Sequence, residues 1–132
     1  LYSYGTTVMK YNPGSNVPVM VERPGRSDLP HFKRVYCTFK QLRQGFKAGC
    51  RAIVGVDGCF LKGTYGGQLL TVIPKDGNDN MYPLAWGVVE VEYRYSWHWF
   101  MNEFNKDFGD DDVCGWTFIS DRQKVPLISY FL

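Results

Sequence analysis

Apolar and polar positions along this chain follow two different periods, and the switches between them outline its elements. Phe32, Val35, Tyr36, Phe39, Leu42 and Phe46 recur at three- and four-residue steps, which predicts a helix from Phe32 that Gly49 is placed to stop. Lys33, Arg34, Lys40, Arg43 and Lys47 fall mostly off that stripe. Residues 51–57 form a short apolar run of strand length that closes on Asp57. Gly66 and Gly67 precede a second such run over 68–73, and Asp76-Gly77 is a strong turn signal. Residues 81–92 read as the returning strand, so 67–92 predicts a hairpin. Ser96 is placed as the cap of a helix whose apolar stripe is Trp97, Phe100, Met101, Phe104 and Phe108. Gly109 and Asp110-Asp111-Asp112 end that helix, and residues 116–121 predict another strand closing on Asp121. Upstream, Pro13-Gly14, Pro18, Pro24-Gly25 and Pro30 make a long helix in 1–30 improbable. A connecting segment with a short strand near residues 17–21 is expected instead.

The order strand, hairpin, helix, strand has a geometric consequence. A strand joined through a helix to a later strand favours parallel pairing. If 51–57 lies beside 116–121, Asp57 and Asp121 end neighbouring strands about 4.8 Å apart. In open α/β sheets, sites form at the carboxyl ends of strands. Two such carboxylates repel unless a hard cation such as Mg²⁺ shares their oxygens.

The 132 residues suit one domain, and 45% hydrophobic with 17% aromatic content excludes a disordered tail. No run approaches the roughly 20 apolar residues of a membrane span, and the opening residues lack a signal-peptide layout, so an intracellular protein without membrane partners is expected. Because the chain begins with Leu1 rather than Met, a fragment or processed product is expected. Cys37, Cys50, Cys59 and Cys114 form no C-x-x-C pair, which argues against zinc and for small buried thiols. The net charge of +2 conceals an uneven distribution: residues 1–51 carry nine Lys/Arg against two acids, while the remainder carries six against eleven. That fits a phosphate-facing arm beside a cation site, or equally a basic helix face that is only solvated.

Several stretches resemble the core of plant Mutator-like (MULE, MuDR family) transposases. They are Gly49-Cys-Arg-Ala-Ile-Val-Gly-Val-Asp-Gly-Cys-Phe-Leu-Lys-Gly63, Tyr65-Gly-Gly-Gln-Leu-Leu70, Lys75-Asp-Gly-Asn78, Met81-Tyr-Pro-Leu-Ala-Trp86, Ser96-Trp-His-Trp-Phe100 and Trp116-Thr-Phe-Ile-Ser-Asp-Arg-Gln-Lys124. The resemblance implies an α/β, RNase H-like (DDE transposase) mixed sheet with flanking helices, its C-terminal part missing. It implies a catalytic metal triad whose first two members match Asp57 and Asp121, with Mg²⁺ or Mn²⁺ as cofactor. DNA, specifically transposon ends, is the implied partner, the nucleus the implied location, and a homo-oligomer is allowed. Lys62 and Lys124, just beyond the two aspartates, are weaker candidates for phosphate contact. His98, Trp86, Trp97 and Trp99 read as core or surface residues, although an exposed aromatic can stack on a base. Glu90 and Glu92 alternate along a strand, and neither fits the third acid.

The implied organisation is a basic segment 1–48 ending in a helix, a partial catalytic domain 49–124 and a divergent tail 125–132. The third carboxylate is expected downstream of Asp121, beyond the divergence. The expectation is therefore a transposase remnant with little strand transfer of its own. A domesticated, non-catalytic DNA-binding protein and a degenerate fragment are the alternatives.

Overall fold

The computed structural model describes residues 1–109 and 116–121. Along the chain run α1 (Tyr2–Tyr11), β1 (Val19–Glu22), β2 (His31–Cys37), α2 (Lys40–Gly49), β3 (Cys50–Phe60), β4 (Gln68–Asp76), β5 (Ala85–Val89), α3 (Arg94–Phe108) and β6 (Thr117–Ile119). The described strands form one mixed sheet in the order β1-β2-β5-β4-β3-β6. All neighbours are antiparallel except β3 and β6, which pair in parallel. The fold is thus mixed α/β, and the expected hairpin, crossover helix and closing strand are all present.

The helix expected from Phe32 is half strand. Residues 31–37 extend beside β5, with Val35 opposite Val88 and Cys37 opposite Trp86, and the helix begins only at Lys40. The reason lies in Arg34. It and Tyr36 occupy alternate positions facing the core and are 5% and 0% exposed. A buried arginine at one of them hides the period of two. Arg34 is tolerated there because its Nε donates to Glu90 Oε2 at 2.8 Å, its Nη2 pairs with Glu90 Oε1, and its Nη1 reaches the Tyr95 carbonyl at 3.2 Å.

A ten-residue helix, α1, precedes the first Pro-Gly pair in a stretch expected to be only connecting chain. Its buried residue is Gly5, where a Cβ would stand 3.2 Å from the Val17 carbonyl and 3.5 Å from a Val19 methyl. A helix seated through a glycine rather than an apolar stripe leaves no periodic signal. The short strand expected near 17–21 is present as β1. Ser96 is displaced from its expected role as the cap: Tyr93 occupies the N-cap, while the Ser96 hydroxyl in the first turn accepts the Tyr93 N–H at 3.0 Å.

Alternation along the strands sends Val54, Val56, Leu70, Val72, Ala85 and Val89 to one sheet face. There they join Phe46 of α2 and Trp97, Phe100, Met101, Phe104 and Phe108 of α3 in a single core. Trp116, leading into β6, stacks on Phe46 at 4.9 Å between ring centroids. α3 lies so close to β5 that a Cβ on Gly87 would sit 2.7 Å from the Val35 carbonyl and 2.9 Å from the Phe100 ring. Gly87→Ala is therefore expected to destabilise the fold by about 2 kcal/mol through overpacking against a fixed backbone oxygen, read as a lowered urea midpoint at unchanged slope.

The basic front of the chain folds back on its acidic remainder. Arg43 Nη1 pairs with Asp107 at 2.5 Å, Asn16 donates to the same carboxylate at 3.1 Å, and Arg34 holds Glu90. Two of the cations that could have faced phosphate are thereby engaged internally. The cysteines also divide: Cys37 is buried, Cys50 is half-buried and Cys59 is exposed, contrary to the expectation of uniformly buried thiols. Cys114 lies outside the described residues. Among the described residues, no helix is long and apolar enough to cross a membrane.

Candidate functional site

Among the described residues, α2 and α3 pack on one side of β3. Its opposite positions, Arg51, Ile53, Gly55 and Asp57, line a groove of about 650 Å³ together with Thr71, Ile73 and Lys75 of β4 and Ile119, Ser120 and Asp121 at the end of β6. Alternation explains the membership, because these side chains face away from the core. Ile53 and Ile119 are 47% and 58% exposed, so the floor is apolar but open.

Both aspartates line this groove. Ile53, Val54 and Gly55 pair in parallel with Thr117, Phe118 and Ile119. Past the Gly55–Ile119 pair the chain reaches Asp57, still within β3, and Asp121, two residues beyond the end of β6, and both line the groove. β4 flanks β3 on its other side, and Thr71 opposite Asp57 donates its hydroxyl to the Asp57 carbonyl at 3.3 Å. One Asp57 carboxylate oxygen accepts the Gly58 N–H at 2.8 Å. The backbone of Asp57 is therefore held by β4, and its carboxylate turns toward the N–H of the following residue.

The other end of the groove carries opposite charge. Arg51 precedes Asp57 by six positions on the same strand, about 20 Å at the usual strand rise. Lys75 ends β4 nearby and bridges to Met81. There a tight turn is fixed by Asp76, whose carboxylate accepts the N–H groups of Asn78 and Asn80 at 2.8 and 2.9 Å. The Asn80 donors are the main reason that carboxyl is held below the usual carboxylate range. The same turn places Asp79, at φ 63°, in the groove wall beside Lys75. Arg51, Lys75 and Thr71 were not singled out from sequence. Counting back from Asp57 in steps of two reaches Arg51, but Lys75 and Thr71 needed the strand pairing.

The remaining candidates lie elsewhere. Lys62 is exposed on the loop between β3 and β4 and does not line the groove, while Lys124 lies outside the described residues. His98 is exposed on α3 with its ring nitrogen 3.1 Å from the Asn102 amide, a surface arrangement. Glu90 is committed to Arg34. Glu92 accepts the Trp97 Nε1–H at 3.1 Å and lies against Gly58, on the face opposite Asp57. Burial pushes the Cys37 thiol up to about 11 and raises that of Cys50, so neither offers a thiolate at neutral pH. Among the described residues, no group of three or more His, Cys, Asp or Glu side chains is arranged to hold a metal ion.

The decisive comparison concerns the strands that carry this groove. The family model of the MULE transposase domain matches residues 53–126, which run from the middle of β3 through β6 and past Asp121. The chain belongs to the MULE transposase domain family. The match begins on the groove floor at Ile53 and takes in both aspartates, Thr71 and Lys75. Neither the curated proteins nor the solved structures provide a match. The family is transposase-derived, and its members are typically metal-dependent. α1, β1, β2 and α2 precede the matched segment, yet β1 and β2 extend the same sheet.

Proposed function

We propose that this chain derives from a Mutator-type transposase whose parent cuts and joins DNA on an RNase H-like sheet, with Asp57 and Asp121 as the pair that would hold divalent metal. The observation that supports it is the parallel register of β3 and β6, whose continuations bring both aspartates to the lining of one groove. Their oxygens are hard donors, suited to Mg²⁺ or Mn²⁺. When bound, such ions activate a water or a DNA 3′-hydroxyl and stabilise the charge that builds at the phosphorus.

The chain's own residues orient and neutralise. Asp57 and Asp121 supply the negative charge that draws the cations to the groove, and neither acts as the nucleophile. Thr71 and the flanking strands fix the position of Asp57, so little reorganisation accompanies binding. Two carboxylates hold one ion weakly, and a two-ion site needs a third. Strand transfer by this chain alone is accordingly low, and the substrate is transposon-end DNA in the nucleus.

The test is Mn²⁺ binding followed by electron paramagnetic resonance, alongside nicking of supercoiled DNA. Asp57→Asn and Asp121→Asn are each expected to weaken Mn²⁺ binding on the order of tenfold, since affinity follows ligand charge. Asp79→Asn, at the far end of the groove, should leave binding unchanged. Equal affinities in all four proteins would remove the assignment. A DNA-binding protein without chemistry would instead show salt-dependent DNA binding that is indifferent to divalent metal and to both aspartates.

A further inference from the structure

Three residues beyond Asp57 the β3–β4 hairpin carries a feature that the groove does not use. Phe60 is 80% exposed and Tyr65 entirely so, with Lys62 between them. Single exposed apolar residues are ordinary on a protein surface. Two aromatic rings and a lysine on one short loop are less so, and this loop is held in shape. The Leu61 N–H donates to the Gly67 carbonyl at 2.9 Å, and the Gly66 N–H to the Gly63 carbonyl at 3.2 Å. Gly66 and Gly67 adopt φ of 60° and 95°, which a side chain would resist, and a Cβ on Gly67 would press the Val89 carbonyl at 3.0 Å. The glycines thus build a closed turn that projects Tyr65 into solvent.

The loop's charge selects its partner. No Asp or Glu occurs from Gly58 to Lys75, so the loop itself carries no acid to repel a polyanion, and Lys62 attracts one. The tryptophans that could have stacked on a base are engaged elsewhere. Trp97 is fully buried, Trp86 lies 5.6 Å from Phe39, and Trp99 lies beneath Arg34 at 5.9 Å. Phe60 stands about 10 Å along the strand from Asp57. By strand alternation it faces the side of the sheet opposite the groove, so the hairpin's contact with a nucleic acid is separate from the carboxylates.

We propose that the β3–β4 hairpin binds unpaired nucleotides, with Phe60 and Tyr65 stacking on bases and Lys62 contacting the backbone. The proposal rests on the nucleic-acid reading above for the polymer, but on none of the metal chemistry. Stacking of this kind tolerates any base, because every base has a π-face, and it requires the base to be out of a duplex. The hairpin therefore prefers single-stranded or distorted DNA to regular duplex.

The experiment measures fluorescence anisotropy of a labelled oligothymidine and of a duplex of equal length, with the full chain in EDTA. Phe60→Ala and Tyr65→Ala are each expected to weaken single-strand binding about tenfold while leaving duplex binding unchanged. Phe60→Trp should retain single-strand affinity. Lys62→Ala should weaken both ligands alike and reduce the salt slope by about one phosphate contact. Leu29→Ala, which removes an aliphatic side chain that is 82% exposed on another loop, serves as the control and should change nothing. Equal losses on single strand and duplex, or no loss from either aromatic, would overturn the assignment. So would a change in sedimentation of the Tyr65→Ala protein, because the ring would then be a self-association contact. EDTA keeps the outcomes separate: a failure of Asp57→Asn to affect Mn²⁺ binding sinks the metal assignment and leaves the hairpin result standing.

Discussion

Phe100→Ala is expected to cost the fold about 3–5 kcal/mol, at the upper end for the loss of a buried aromatic. Phe100 is fully buried and meets Tyr36 edge-on at 5.5 Å and Trp97 at 5.9 Å between centroids. Beneath it lies Gly87, which has no side chain to move into the vacancy. Neighbouring β2 and β4 hold β5 on both sides, so the sheet cannot rise to close the gap. A domain of this kind has about 5–15 kcal/mol in total, so the variant retains little margin. Urea unfolding followed by tryptophan fluorescence measures it. A loss under about 1 kcal/mol, which is the typical effect of an ordinary substitution, would show that α3 does not pack on β5 as described.

Arg34→Ala is expected to cost about 3 kcal/mol, somewhat below a fully buried ion pair because Glu90 is partly solvated. The side chains of Arg34 and Glu90 are 7% and 32% exposed. The loss has two parts: an unpaired carboxylate, and the packing of the arginine stem and guanidinium over Trp99. Adding Glu90→Ala to Arg34→Ala should therefore cost little more, a non-additivity that a double-mutant cycle reads directly. The pair also sets a response to acid. The hydrogen bonds from Arg34 hold the Glu90 carboxyl below the usual glutamate range in the folded chain. Its stabilising effect is present above the ordinary glutamate value and is lost as the pH falls through the depressed one. Unfolding midpoints taken from neutral to acid pH should fall more steeply in the parent than in Arg34→Ala, where the partner is gone.

What could be read without coordinates was whatever a regular period carries. The β4–β5 hairpin announces itself through Asp76-Gly77, and α3 through five apolar residues on one face. The parallel pairing of β3 with β6 followed from strand order alone, because a crossover helix between two strands leaves few pairings. β2 escaped because a buried arginine breaks the alternation on which strand reading depends. Its neighbours Phe32, Val35, Tyr36 and Phe39 then imitated a helix face. α1 escaped because it docks through Gly5. Lys75 and Thr71 became groove residues only through their pairing with β3, a relation between positions far apart in sequence. The hairpin aromatics were visible as letters, but nothing in the sequence says that neither ring is buried.

The parallel pairing of β3 with β6 has a consequence for the order of folding. β3, β4 and β5 are joined by short connections, so their contacts close small loops and form early. β6 reaches β3 only after about sixty intervening residues, with Thr117 docking beside Ile53. Closing so long a loop carries the larger entropic cost, and that contact is expected among the last to form. Asp121 thus reaches the groove when the remainder of the sheet already exists. The groove is completed by the final docking step, and under the metal assignment proposed above cation affinity would report on its completion.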